Sequence, residues 1–231
     1  MTHIDHRRNE RGNVFFYIFV GVALFGALSF AISQGNRGSV QTLERDRDKL
    51  LASDIIEYGE TVARAVAQIR LRGATAAQVS FAHDDLSATY GTPGTNPDFE
   101  VFDPTGGGVV LKTIDAASGV GVPSMVFTGS NEFIGAGTTA GTAASADLIM
   151  MVRDLRADVC KWINVLVDIQ SDSAAIPVDA QADFTLFDGT YAGTQTLGDD
   201  DTEDRLRNHS SGCFRDTNAN QYIFYRVLIA R

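Results

Sequence analysis

Val14 to Ile32 (VFFYIFVGVALFGALSFAI) runs for 19 residues without a charge, and this stretch limits the possible folds more than any other. Wound as an α-helix at 1.5 Å per residue it spans about 28 Å, close to the roughly 30 Å core of a bilayer. Arg7, Arg8 and Arg11 stand just before it, and only Arg37 falls in the ten residues that follow. By the positive-inside rule this asymmetry predicts a single-pass segment with its N-terminus in the cytoplasm and the rest of the chain outside. Three readings compete. A cleaved secretory signal has a shorter apolar core, roughly 7–15 residues, and a small-x-small site after it; Phe30-Ala31-Ile32-Ser33 makes a poor one. An uncleaved signal anchor needs only the apolar run. The third reading depends on the boundary before the run.

That boundary is Arg-Arg-Asn-Glu-Arg-Gly, Arg7 to Gly12, followed at once by the apolar run. A short basic leader ending in Gly resembles the class III signal of type IV pilins and pseudopilins. The resemblance implies that a prepilin peptidase cuts after Gly12 and that Asn13 becomes the methylated first residue. It also implies that the helix later packs against those of other pilin-like subunits in a type IV pilus or type II secretion-like filament. The expected location is a single pass of the bacterial inner membrane, with the C-terminal domain periplasmic or extracellular. One position departs from the family pattern. The fifth mature residue is Tyr17, where most members carry a Glu that pairs with a neighbouring N-terminus. Its absence is associated with minor subunits.

Residues 36–73 continue the helical pattern. Leu43, Arg47, Leu51, Ile55, Tyr58, Val62, Val66 and Ile69 recur at steps of three and four, one face of an α-helix, with charged residues opposite. Gly73 supplies a stop in the left-handed conformation that glycine favours. The predicted organisation is a leader at 1–12, a membrane or filament-core helix at 13–35, an amphipathic stem at 36–73 and a globular domain at 74–231.

Within that domain, short strands are predicted at Phe99–Phe102, Val109–Ile114, Met125–Thr128, Phe184–Phe187, Tyr191–Leu197 and Tyr222–Ala230. Gly129 to Ser145, rich in small and polar residues, reads as an exposed loop. Leu148, Val152, Leu155, Val159, Ile163 and Leu166 read as the buried stripe of a second helix over about 146–169. The expected fold class is α+β: a long pilin-like N-terminal helix, then a small domain with an antiparallel sheet and a second helix.

Charge excludes one class of partner. The net charge is −10, and since residues 1–13 sum to +1 the remainder carries −11. Nucleic-acid binding needs a basic footprint, which this body lacks. Cys160 and Cys213 are the two cysteines. Outside the cytoplasm they read as a disulfide, which pinning of the C-terminal region in pilin-like proteins also implies; otherwise they read as two buried thiols.

No cofactor is expected. Asp199-Asp200-Asp201-Thr202-Glu203-Asp204 is the densest charge run and reads as a solvated loop. Asp216, Asn218 and Asn220 have the spacing that opens a calcium loop, but Gln221 replaces the sixth-position Gly and no Glu stands at the twelfth. An Asx turn is the competing reading. The four histidines show no zinc spacing, Gly106-Gly107-Gly108 lacks the Lys-Ser/Thr of a phosphate loop, and His83-Asp84-Asp85 reads as solvent-exposed. The sequence therefore predicts a structural subunit and no enzyme. The alternative is a membrane-anchored periplasmic binding module that does not polymerise.

Overall fold

The computed structural model describes residues 13–138 and 142–231, with side chains described over the same residues except 13–14 and 32–41. The predicted leader, Gly12 included, lies outside the described residues, and the same holds for the side chain of Asn13. The elements are α1 (Asn13–Leu71), β1 (Gly119–Phe133), β2 (Asp147–Leu155), α2 (Ala157–Leu166), β3 (Val178–Asp179), β4 (Gln195–Leu197), β5 (Ser211–Asp216) and β6 (Gln221–Ile229). Two compact units divide inside α1, Met1–Asp46 and Arg47–Arg231.

In the second unit, α1 buries Ala52, Ile55, Tyr58, Val62, Val66 and Ile69, spaced to share one face. Gly59 lets this helix approach the sheet closely, since a Cβ there would stand 3.0 Å from the Phe224 ring. The helix stops where Gly73 turns to φ +104°. Gly73 N–H then reaches Arg70 O and Ala74 N–H reaches Ile69 O. Residues 74–118 contain four short 3₁₀ turns and wrap an aromatic cluster in which Phe81 stacks on Phe127 at 3.9 Å between centroids.

The strands form one six-stranded sheet in the order β3-β5-β6-β2-β1-β4. Pairs β1–β2, β2–β6 and β5–β6 are antiparallel; β1–β4 and β3–β5 are parallel. Both faces are apolar. Leu148, Met150, Val152 and Phe224 join the cluster beneath α1 and α2. The alternate residues Ile149, Met151, Ile223, Tyr225 and Val227 join a second cluster with Phe133, Leu197, Leu206 and Phe214. A register shift between Thr128 and Asn131 reverses the alternation of β1. Phe127 therefore faces the first cluster and Phe133 the second, as an inserted residue requires.

The outer strands β3 and β4 meet at a side-chain contact: Gly198 N–H, just past β4, donates to Asp179 Oδ2 at 2.6 Å. This nearly closes the sheet into a barrel around the second cluster. On the first face, α2 is tied to β5 twice. Cys160 and Cys213 form a disulfide with Cα atoms 5.4 Å apart. Asn164 Nδ2 donates to Cys213 O at 2.7 Å and its Oδ1 accepts from Cys213 N–H at 2.7 Å, so the amide side chain acts as one rung of a ladder.

This architecture corrects the fold expected from sequence. The sheet is mixed, barrel-like and central to the domain, where a small antiparallel sheet was expected. The chain does not have one long pilin-like helix as a unit of its fold, because the compact units divide within α1 at Asp46 and Arg47. The second helix is ten residues long, because Asp147–Leu155 is strand β2. Leu-Ile-Met-Met-Val at 148–152 is apolar at every position, so helical spacing is satisfied trivially; a central strand covered on both faces demands the same run. The predicted loop at 129–145 is also shorter. Gly129–Phe133 continues β1, with Asn131 and Glu132 buried and hydrogen-bonded to Asp183, Ser145 and Thr196.

The inner-membrane location is corrected too. Among the described residues, no helix is long and apolar enough to cross a membrane, so a single-pass anchor is not supported. The membrane anchor of the alternative reading is unsupported for the same reason.

Candidate functional site

Unit 1 presents an apolar helix surface. Phe15, Phe16, Tyr17, Ile18 and Phe19 follow one another at 100° steps around the axis, and each is more than half exposed, from 57% at Ile18 to 80% at Phe19. Val22, Leu24, Phe25, Leu28 and Phe30 extend the exposure over four turns. A helix that is apolar all round is stable in water only when other apolar groups surround it. Gly21 and Gly26 lie within this surface, and a Cβ at either would meet nothing within 4 Å. Small residues of this kind let a second helix approach closely. Tyr17 is one of the exposed aromatics and sets its ring edge-on to Phe16 at 6.2 Å.

A second feature lies at the seam of the barrel. Asp179 on β3 is buried, and the carboxylates of Asp179, Asp199 and Asp200 each bring an oxygen within 4.8 Å of the others. Burial, reinforced by the charges of Asp200 and Asp199, pushes the Asp179 carboxyl up to about 7, although the Gly198 N–H bond acts in the opposite direction. Asp200 Oδ2 accepts from Ala180 N–H at 2.6 Å. Asp201 is held by Arg205, whose Nη2 lies 2.7 Å from Oδ1 and whose Nε lies 2.9 Å from Oδ2. The run 199–204, expected as a solvated loop, is exposed at every position except Asp201, with Asp199 and Asp200 standing beside buried Asp179. We assign no metal to it, since Asp199 and Asp200 are exposed and exposed acidic groups often cluster without an ion.

The calcium-loop residues sit in the hairpin between β5 and β6, where each serves the turn. Asp216 Oδ1 accepts from Asn218 N–H at 2.9 Å and Ala219 N–H at 2.8 Å, the geometry of an Asx turn. Asn218 Nδ2 donates to Gln181, and Asn220 Oδ1 accepts from Arg215 at 2.7 Å. Cys160 and Cys213 are joined and buried in the first core cluster, away from solvent.

His83 and Asp85 line a shallow cleft of about 540 Å³ with Phe102, Pro104 and residues 108–111. His83 Nδ1 accepts from the Asp85 backbone N–H at 3.1 Å, so the imidazole is engaged by its own turn. The lining contains no Ser, Cys or Lys to act as nucleophile.

Asp179 was not legible as a functional residue: Pro-Val-Asp-Ala-Gln-Ala-Asp carries no spacing signal. Its position follows from the meeting of two edge strands 16 residues apart in sequence, Asp179 to Gln195. No protein-family model, no curated protein and no solved structure matches this chain.

Proposed function

We propose that this chain is a non-catalytic structural subunit that assembles with copies of itself or of similar subunits through the apolar segment of α1, in the manner of a pilin-like or pseudopilin filament. The observation that carries this reading is the exposure of Phe15–Phe30 around the whole circumference of the helix. A groove on one partner covers one side of such a helix, whereas a bundle of sister helices covers all of it. Gly21 and Gly26 offer the close approach such packing needs. The Arg7–Gly12 boundary supports the pilin-like form, with Gly12 the last residue before a prepilin-peptidase cut and Asn13 the methylated start. Tyr17 leaves assembly to apolar packing, without the family's charge pair.

Two measurements test it. Sedimentation of the full chain shows multimers, and a Phe15→Glu, Phe19→Glu, Val22→Glu variant sediments as a monomer with an unchanged domain circular-dichroism spectrum; a wild-type chain that stays monomeric at all concentrations overturns the proposal. Intact mass of the native protein reads a chain beginning at methylated Asn13, and Gly12→Leu leaves the leader attached. Normal processing of that variant removes the pilin-like form while leaving assembly to be judged by sedimentation.

A further inference from the structure

The sheet closes by an unusual contact. Its outer strands β3 and β4 do not share a ladder; they are bridged by carboxylates bonded to backbone N–H groups. Gly198 N–H donates to Asp179 Oδ2, and Ala180 N–H donates to Asp200 Oδ2, each at 2.6 Å. The two bonds run in opposite directions across the seam, one carboxylate from each side. Gly198 adopts φ +89°, which turns its N–H toward Asp179, and a Cβ there would lie 2.8 Å from Ile134. The contact also covers the second core cluster, since Leu197 and Leu206 flank it on the chain and pack within that cluster.

The charges facing Asp179 are predominantly negative. The segment after β4 brings Asp199 and Asp200. Asp201, next along it, is neutralised by Arg205, which also reaches Glu203 at 3.2 Å. From β5, Asp216 pairs in register with Asp179, its carboxylate occupied by backbone N–H groups, and Arg215 pairs with Val178 while its guanidinium turns to Asn220. Among the ion pairs of the described residues, no cation bonds the Asp179 carboxylate. A charged Asp179 is therefore buried beside two further carboxylates, themselves exposed, on the segment it must hold.

We infer that the β3–β4 seam is a proton-operated latch, closed when the Asp179 carboxyl carries a proton and loosened when it is ionised. The protonated group still accepts from Gly198 N–H through its carbonyl oxygen, and its O–H can donate to Asp199 or Asp200, turning repulsion into attraction. The ionised group repels both, and the segment 198–206 is what yields, because it is tied across the seam by these side-chain contacts. The direction in pH follows. The folded protein holds this proton to about 7 while an unfolded chain releases it near 3.8. The latch thus contributes stability at low pH that is lost as pH rises through 7.

The test is hydrogen exchange with mass-spectrometric readout on the full chain, corrected for intrinsic rates. Peptides covering 178–182 and 196–206 lose at least about tenfold in protection between pH 5 and pH 8, because the ratio of protonated to ionised carboxyl falls tenfold for each pH step. Peptides from β2 and β6 keep theirs. Asp179→Asn, neutral at every pH and still able to accept from Gly198 N–H, holds the seam closed and abolishes the difference. Equal protection at both pH values in the wild type overturns the inference, and so does an Asp179→Asn variant that retains the pH-dependent loss. Should that variant not fold, the carboxyl-carbon shift of Asp179 in selectively labelled wild-type protein decides. A midpoint above 6 supports the latch, and one below 5 removes it.

Discussion

Phe127→Ala lowers the free energy of unfolding by about 3–5 kcal/mol, the range for emptying a buried aromatic site. Phe127 is fully buried and sits where β1 meets residues 74–118. Its ring stacks on Phe81 at 3.9 Å and 5°, meets Tyr90 edge-on at 5.8 Å and lies 6.0 Å from Phe102. Its backbone is held as well, because Tyr90 Oη accepts from Phe127 N–H at 3.0 Å and Phe127 O accepts from Phe187 N–H. Three aromatic rings thus pack against this one side chain. Burial raises the Tyr90 hydroxyl to about 12, so it stays protonated through neutral pH. Urea unfolding followed by far-ultraviolet circular dichroism measures the loss; a change under about 1 kcal/mol, well below the cost of a buried aromatic, means this cluster does not hold the wrap of residues 74–118 onto the sheet.

Removing the disulfide has an effect of similar size. The Cys160→Ala, Cys213→Ala double variant loses about 4 kcal/mol, as expected for a cross-link over 53 residues of sequence that restricts the unfolded chain. The bridge joins α2 to β5, and both sulfurs lie in the first core cluster. Asn164 partly backs it up by bonding both backbone groups of Cys213, so the double variant still docks α2. Adding Asn164→Ala to that variant orphans a buried N–H and C=O, each costing about 1–3 kcal/mol. Thermal melts of the pair of variants separate the contributions; an oxidised wild type no more stable than the double variant means the cross-link restricts little.

The physical link between these two effects is the sheet. One face is covered by α1, α2 and the aromatic wrap, and the other is folded around its own second cluster. Such a sheet makes Leu148 to Val152 of β2 core residues on both faces, which explains why the sequence misled at 146–169. Periodicity distinguishes helix from strand only when one side of the element is polar. At Leu148–Val152 neither side is, and the i, i+3, i+4 pattern was met by a strand buried on both faces. Gly129–Phe133 failed for the converse reason. Asn131 and Glu132 look like loop residues, yet each is buried because distant partners, Asp183 for Asn131 and Ser145 with Thr196 for Glu132, satisfy it. The carboxylate seam was invisible for the same cause, since its two sides become neighbours only when the sheet curls.

What the amino-acid sequence determined alone is local. It specifies the apolar run of 14–32, the buried stripe of α1 from Ile55 to Ile69, the glycine that ends that helix and the turn chemistry of Asp216–Asn220. Each depends on residues within one or two turns of chain, where spacing and backbone preference act directly. Tertiary structure decided the rest: the mixed order of six strands, the identity of β2, the burial of Glu132 and Asp179, and the meeting of β3 with the segment after β4. Those depend on contacts across tens of residues, whose free energy comes from closing apolar surface on both faces of a sheet, and no local pattern records which distant segment will supply the cover.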